Sequence, residues 1–190
     1  MRYRGSVLAA VAVILVLAVV AAAQSPVQPS VKPLDVPYVP TDEALVDAML
    51  AVAKVGKNDM LYDLGSGDGR IVITAAKKYG TRGTGIDLDP VRVAEANENA
   101  KKAGVTHLVK FIEGDIFQAN FKDATVVTMY LLPEVNMRLR PTILALKPGT
   151  RIVSHNYDMG DWKPLKTLHI PISDTPHQIY FWTVPAKKPL

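Results

Sequence analysis

Along this chain the apolar residues alternate between a helical spacing and short unbroken runs. Leu45, Ala48, Met49, Val52 and Val55 recur at helical intervals, which predicts an amphipathic helix. Thr41 is its expected N-cap, Asp42 and Glu43 suit the positive end of its first turn, and Gly56 is its expected stop. Met60 to Leu64 is a short apolar run entering a glycine cluster, the pattern of a buried strand. Arg70 to Tyr79 predicts a helix packed on the sheet, and Gly83 to Asp87 a second strand. Asp89-Pro90 then opens a helix with a capping carboxylate and a proline at the first helical position. Val93, Ala96, Ala100 and Ala103 form its apolar face, and Gly104 ends it. Val109–Glu113 and Ala124–Tyr130 are the third and fourth expected strands, and Arg151–Ser154 the fifth. Between the last two, Pro133 to Leu146 is helical in pattern, with a kink or break expected at Pro141. Leu165–Ile170 and Gln178–Val184 then follow with no room for a helix between them, which predicts an antiparallel pair. Strands alternating with helices imply a parallel sheet with right-handed crossovers, closed here by a hairpin.

The first residues break this rhythm. Arg2 and Arg4 precede an uncharged run from Gly5 to Ala23 that ends in three alanines. That pattern fits a signal peptide, and its length is also near the minimum for a membrane-spanning helix. Residues 1–24 are therefore read as signal peptide or membrane anchor, with membrane association through residues 5–23. Five prolines between Pro26 and Pro40 make residues 25–40 an extended linker. Residues 41–190 form the globular domain. The positive-inside rule sends that domain outward, to an envelope or periplasmic location, unless it stays on the cytoplasmic face.

Composition removes several classes of chemistry. The chain has 190 residues, enough for one domain with a full core. Its net charge is +4, and without Arg2 and Arg4 the balance is 20 basic to 18 acidic residues, which gives no basis for nucleic-acid binding. Cysteine is absent, so disulfides, zinc–thiolate sites and cysteine nucleophiles are excluded. No metal site is expected, because Asn156 and Asp158 have no evident third partner.

The chemistry concentrates in Leu61-Tyr62-Asp63-Leu64-Gly65-Ser66-Gly67-Asp68-Gly69-Arg70. Glycines at 65, 67 and 69 allow a tight strand-to-helix turn and close approach of backbone to a ligand. A dinucleotide-binding protein shares such a loop, but Asp63 and Asp68 would repel a pyrophosphate. They would welcome an ammonium group instead. Asp87 ends the second strand, 22 residues after Gly65, where a carboxylate can accept both hydroxyls of a ribose. Asp115, after the third strand, can accept an adenine amine, and the Ile116 N–H can reach a ring nitrogen. All three sites fall at the carboxyl ends of strands, where open α/β sheets bind ligands.

On these residues the chain resembles the class I S-adenosylmethionine-dependent methyltransferases. The resemblance implies an α/β fold: a single Rossmann-like seven-stranded, mostly parallel sheet with helices on both faces and a C-terminal antiparallel hairpin. It implies S-adenosyl-L-methionine as cofactor, held by Asp63, Gly65, Ser66, Gly67, Asp68, Gly69, Asp87, Leu88, Asp115 and Ile116. More narrowly, Val-Pro-Tyr-Val-Pro-Thr (36–41) with Asp63 to Val72 is similar to a family of small membrane-anchored protein-lysine methyltransferases. Its mitochondrial members act on the ATP synthase c subunit and on adenine nucleotide translocase, so the implied partner is a protein lysine.

A lysine acceptor must first lose a proton, at a cost of about 4.6 kcal/mol from pKa 10.4 at pH 7. A dry aromatic channel lowers that cost, and Tyr130 and Tyr38 are the residues expected to line it. Glu134, His155, Tyr157 and Asp158 are expected at its rim. The fourth strand lacks the Asn/Asp-Pro-Pro-Tyr/Phe pattern of amide and adenine methylation. A module that holds the nucleoside without reacting, a small-molecule methyltransferase and a nicotinamide oxidoreductase are the competing expectations.

Overall fold

The computed structural model describes residues 38–172 and 175–186. The expected leader at 1–24 and the linker up to residue 37 lie outside the described residues. Among the described residues no helix is long and apolar enough to cross a membrane.

The elements run α1 (Glu43–Val52), β1 (Met60–Leu64), α2 (Arg70–Tyr79), β2 (Arg82–Asp87), α3 (Pro90–Lys102), β3 (Val109–Glu113), β4 (Val126–Met129), α4 (Pro133–Leu144), β5 (Arg151–His155), β6 (Lys166–Ile172) and β7 (Thr175–Thr183). The strands form one seven-stranded sheet in the order β3-β2-β1-β4-β5-β7-β6. β1 to β5 pair in parallel, and β7 inserts antiparallel between β5 and β6. This is the expected seven-stranded α/β fold with its terminal hairpin.

The central strands are apolar on both faces because both are covered. Leu61, Val126 and Val153 point into one core with residues of α1, α2 and α3. Their chain neighbours Tyr62, Val127 and Ile152 point into the other, with Val135, Leu139 and Ile143 of α4 and the fully buried Trp182. Both faces of the central strands are thus packed, which holds their ends on a rigid base.

Three local expectations change. The cap of α1 is Asp42, whose side chain accepts the Ala44 N–H at 2.8 Å. Thr41 is instead buried, because its hydroxyl faces His155. The helix also ends before Gly56: Ala53 caps it and Lys54 turns at φ 49. Finally, α4 runs through Pro141 as one helix. Pro141 lies on the exposed side, four residues after the exposed Met137, so water can serve the carbonyl that proline leaves unbonded.

Candidate functional site

The switch point of the sheet lies between β1 and β4, where the strand order reverses, and a cleft opens there at the carboxyl ends of the strands. Its walls include Asp63, Gly65, Ser66, Gly67 and Asp68 from the first turn, Asp87 and Leu88 from the second, and Asp115 and Ile116 from the third. Tyr38, Tyr130 and Tyr157 line it from the lead-in and from the ends of β4 and β5. Gly69 is the one residue of the glycine loop that does not line the cleft. It starts α2 at φ +81, and a Cβ there would sit 2.6 Å from the Phe111 ring. Its role is close helix–sheet packing.

Gly67 shows why the bend needs glycine. It sits at φ +51, and a Cβ would lie 2.5 Å from the ring of Tyr38, which covers the loop. The Gly67 N–H donates to Asp87 Oδ2 at 2.7 Å, and the Asp89 N–H to Asp87 Oδ1 at 2.9 Å. Asp87 thus ties the first loop to the second, with one lone pair of each oxygen left for a ligand. Asp115 accepts the Phe117 N–H at 3.0 Å, which fixes its carboxylate at the end of β3.

The two loop carboxylates differ sharply. Asp68 is clamped by Arg70, through Nε at 3.0 Å and Nη2 at 2.7 Å. Burial alone would raise its pKa, but the bonds and charge of Arg70 outweigh burial and hold it below the usual range. Arg70 Nη1 also donates to the Thr41 carbonyl at 2.7 Å, so the pair straps the lead-in to the loop. The expectation that both Asp63 and Asp68 stand ready for an ammonium therefore narrows to Asp63. That carboxyl is 2% exposed and accepts a 2.7 Å bond from the Thr128 hydroxyl. Burial, with Asp87 and Asp68 close by, pushes its pKa up to about 7 despite that bond. A cation beside it would relieve this cost.

At the other end, the cleft is aromatic. The Tyr130 ring lies 3.9 Å, centroid to centroid, from His155 and 6.3 Å from Tyr157. His155 is buried behind Tyr130 rather than at the rim. Glu134 and Asp158 do not line the cleft. Tyr38 sits nearer the glycine loop, its ring under the Arg92 guanidinium at 4.7 Å. The sequence reading missed Arg70, Arg92, Thr128 and His177. Only Arg70 carried a signal, since it directly follows the loop.

These residues fit S-adenosylmethionine. Among the described residues a buried carboxyl with no cation beside it, the Asp87 carboxylate at the tip of β2 and the buried Ser66 hydroxyl, which has no hydrogen-bond partner there, converge on one cleft. The sheet order and this site define a class I, S-adenosylmethionine-dependent methyltransferase. The chain belongs to the ANTKMT methyltransferase domain family, whose model matches residues 63–166.

A protein-lysine N-methyltransferase of Saccharolobus islandicus is 42% identical over 155 residues, covering 80% of this chain and 96% of that one. The mouse adenine nucleotide translocase lysine N-methyltransferase is 34% identical, over 70% of this chain but only 58% of the relative's own length. Among solved structures, one described as an RNA methyltransferase from Salinibacter ruber in complex with S-adenosyl-L-homocysteine is 51% identical. It superposes with a TM-score of 0.75 over 80% of this chain and 97% of that one.

Proposed function

We propose that this chain methylates the side-chain nitrogen of lysine in a protein substrate. The single observation that carries this is the 42% identity, over nearly the whole length of the relative, to a protein-lysine N-methyltransferase. The aromatic end of the cleft supports it. Tyr130 and Tyr157 both line the cleft and offer flat apolar surface for a methylene chain and π faces for its cation.

In this reading Asp63 faces the amino-acid end of S-adenosylmethionine, Asp87 takes the ribose hydroxyls, and Asp115 with the Ile116 N–H takes the adenine. The Ser66 hydroxyl and the backbone of Gly65 and Gly67 complete the cradle, with Leu88 against the nucleoside. When bound, the cofactor supplies a methyl group already activated on a sulfonium. The chain's own contribution is then orientation, which supplies roughly 7–11 kcal/mol in favourable intramolecular reactions. Tyr130 shields the acceptor from water, which favours the neutral amine needed for attack, while Tyr38 covers the glycine loop. The apolar run 5–23 supports attachment to a membrane, and with it an acceptor among membrane or envelope proteins.

Incubating the full chain with isotopically labelled S-adenosylmethionine and either membrane-protein extract or total RNA tests the acceptor. Peptide mass spectrometry should find the label on lysine Nε. Label confined to RNA would overturn the proposal, in line with the description of the Salinibacter structure.

A further inference from the structure

His155 does not line the cleft, yet it is 1% exposed at the tip of β5, directly behind Tyr130. Its Nδ1 lies 3.3 Å from the Thr41 hydroxyl and its Nε2 lies 3.0 Å from His177 Nδ1. Both contacts can form with a neutral ring in either tautomer: Thr41 donates to Nδ1 while Nε2–H donates to His177, or Nδ1–H donates to Thr41 while His177 Nδ1–H donates to Nε2. Burial, reinforced by the charge of His177, pushes the His155 pKa down to about 4, so the ring is neutral at physiological pH. A single side chain thereby joins the lead-in, β5 and β7.

The next residue reinforces the joint. Asn156 adopts φ 61, a left-handed conformation that few residues besides glycine and asparagine take. Its N–H donates to the Gln178 carbonyl at 2.7 Å, and its Oδ1 accepts the Gln178 N–H at 3.0 Å. The tip of β5 is pinned to β7 beside the cleft.

Among the described residues Tyr130 is held by ring contacts with His155 and Tyr157. Its placement depends on the flat surface behind it. A neutral ring there also leaves the Tyr130 π system available to an acceptor cation, whereas an imidazolium would compete for it.

We propose that His155 is a positioning residue for methyl transfer: clasped between Thr41 and His177, it fixes the ring of Tyr130 at the acceptor end of the cleft. This rests on the reading of Tyr130 as an acceptor wall. Misplacement by 1 Å can cost two orders of magnitude in rate, so the clasp has leverage without touching either substrate.

Three variants of the full chain test it. His155→Phe keeps a ring behind Tyr130 and removes both nitrogens. His177→Phe removes the partner from a half-buried position, and His177→Asn returns an acceptor near the place of Nδ1. The readouts are the initial rate of methyl incorporation into membrane-protein extract at saturating S-adenosylmethionine, the KM for that donor, and the Kd of S-adenosylhomocysteine by calorimetry. Both phenylalanine variants should lose roughly tenfold or more in rate with Kd and KM within about twofold, and His177→Asn should recover most of the rate. Rates within twofold of wild type in both phenylalanine variants would overturn the proposal, as would Kd weakening in step with the rate. If His155→Phe does not fold, the His177 pair decides alone. A wild type that labels no lysine defeats the acceptor reading instead, and so separates the two outcomes.

Discussion

The two ends of β1 each carry a buried aspartate, and the two are treated in opposite ways. Asp59, just before the strand, receives the Thr125 hydroxyl at 2.7 Å, the Gly56 N–H at 2.8 Å and the Arg151 guanidinium. Burial would raise its pKa, but these bonds and the charge of Arg151 outweigh it and hold the group below the usual carboxylate range. Arg151 also reaches the Ala53 carbonyl at 2.7 Å, so the cluster locks the end of α1 to β5. Asp63, at the other end of the same strand, has one hydroxyl donor and two neighbouring carboxylates, and its pKa rises to about 7. The first carboxylate is satisfied by the fold. The second is left for a ligand to satisfy, and that asymmetry marks the working end of the sheet.

The largest test of this contrast is at the closed end. Asp59→Asn should cost about 3 kcal/mol by leaving Arg151 without its counter-charge, read by denaturant unfolding, with S-adenosylhomocysteine affinity little changed. Asp63→Asn should do the reverse. Affinity for S-adenosylmethionine should fall roughly a hundredfold, about 2.7 kcal/mol, while the ligand-free protein at pH 8 becomes no less stable, since a neutral side chain removes a buried charge. A large loss of stability in Asp63→Asn would erase the distinction.

Gly67→Ala comes next. The left-handed φ and the Tyr38 ring should together cost on the order of 1–2 kcal/mol of stability and weaken cofactor binding by about tenfold, checked by thermal unfolding with and without S-adenosylhomocysteine.

The last test is in pH, and its sign differs at the two ends. The lowered pKa of Asp59 contributes stability above its unfolded value near 3.8, lost as pH falls through the folded pKa. The raised pKa of Asp63 works oppositely: stability present below 3.8 is lost as pH rises through about 7. A cationic ligand favours ionised Asp63, so binding should release protons near pH 7. Affinity for S-adenosylhomocysteine should then rise by roughly threefold or more from pH 6 to 7.5 in wild type. The rise should disappear in Asp63→Asn. Calorimetry in buffers of differing ionisation heat measures the proton release directly.

Much of this architecture is local and was legible. The run Met60–Leu64, the glycine bend and the Asp89-Pro90 opening of α3 depend on neighbouring residues, and each forms where the pattern puts it. The terminal hairpin followed from the lack of room for a crossover helix. Thr41 was misread because Asp42 beside it caps equally well, and only contact with His155, 114 residues away, draws Thr41 inward. The pairing of His155 with His177 was not legible either. The antiparallel register sets His155 opposite Ile179, which leaves His177 two residues along on the same face.

By itself the sequence determined the order of strands and helices, the bend at Gly65–Gly69, and the placing of Asp63, Asp87 and Asp115 at strand ends. Periodicity and spacing carry that information along the chain. The tertiary structure alone decided that Asp68 is neutralised by Arg70 while Asp63 has no cation beside it among the described residues, and that a buried histidine backs Tyr130. Charge state and side-chain packing depend on which groups meet in space. Here those groups come from β1, β4, β5, β7 and the lead-in, brought together by strand order rather than by nearness in the chain.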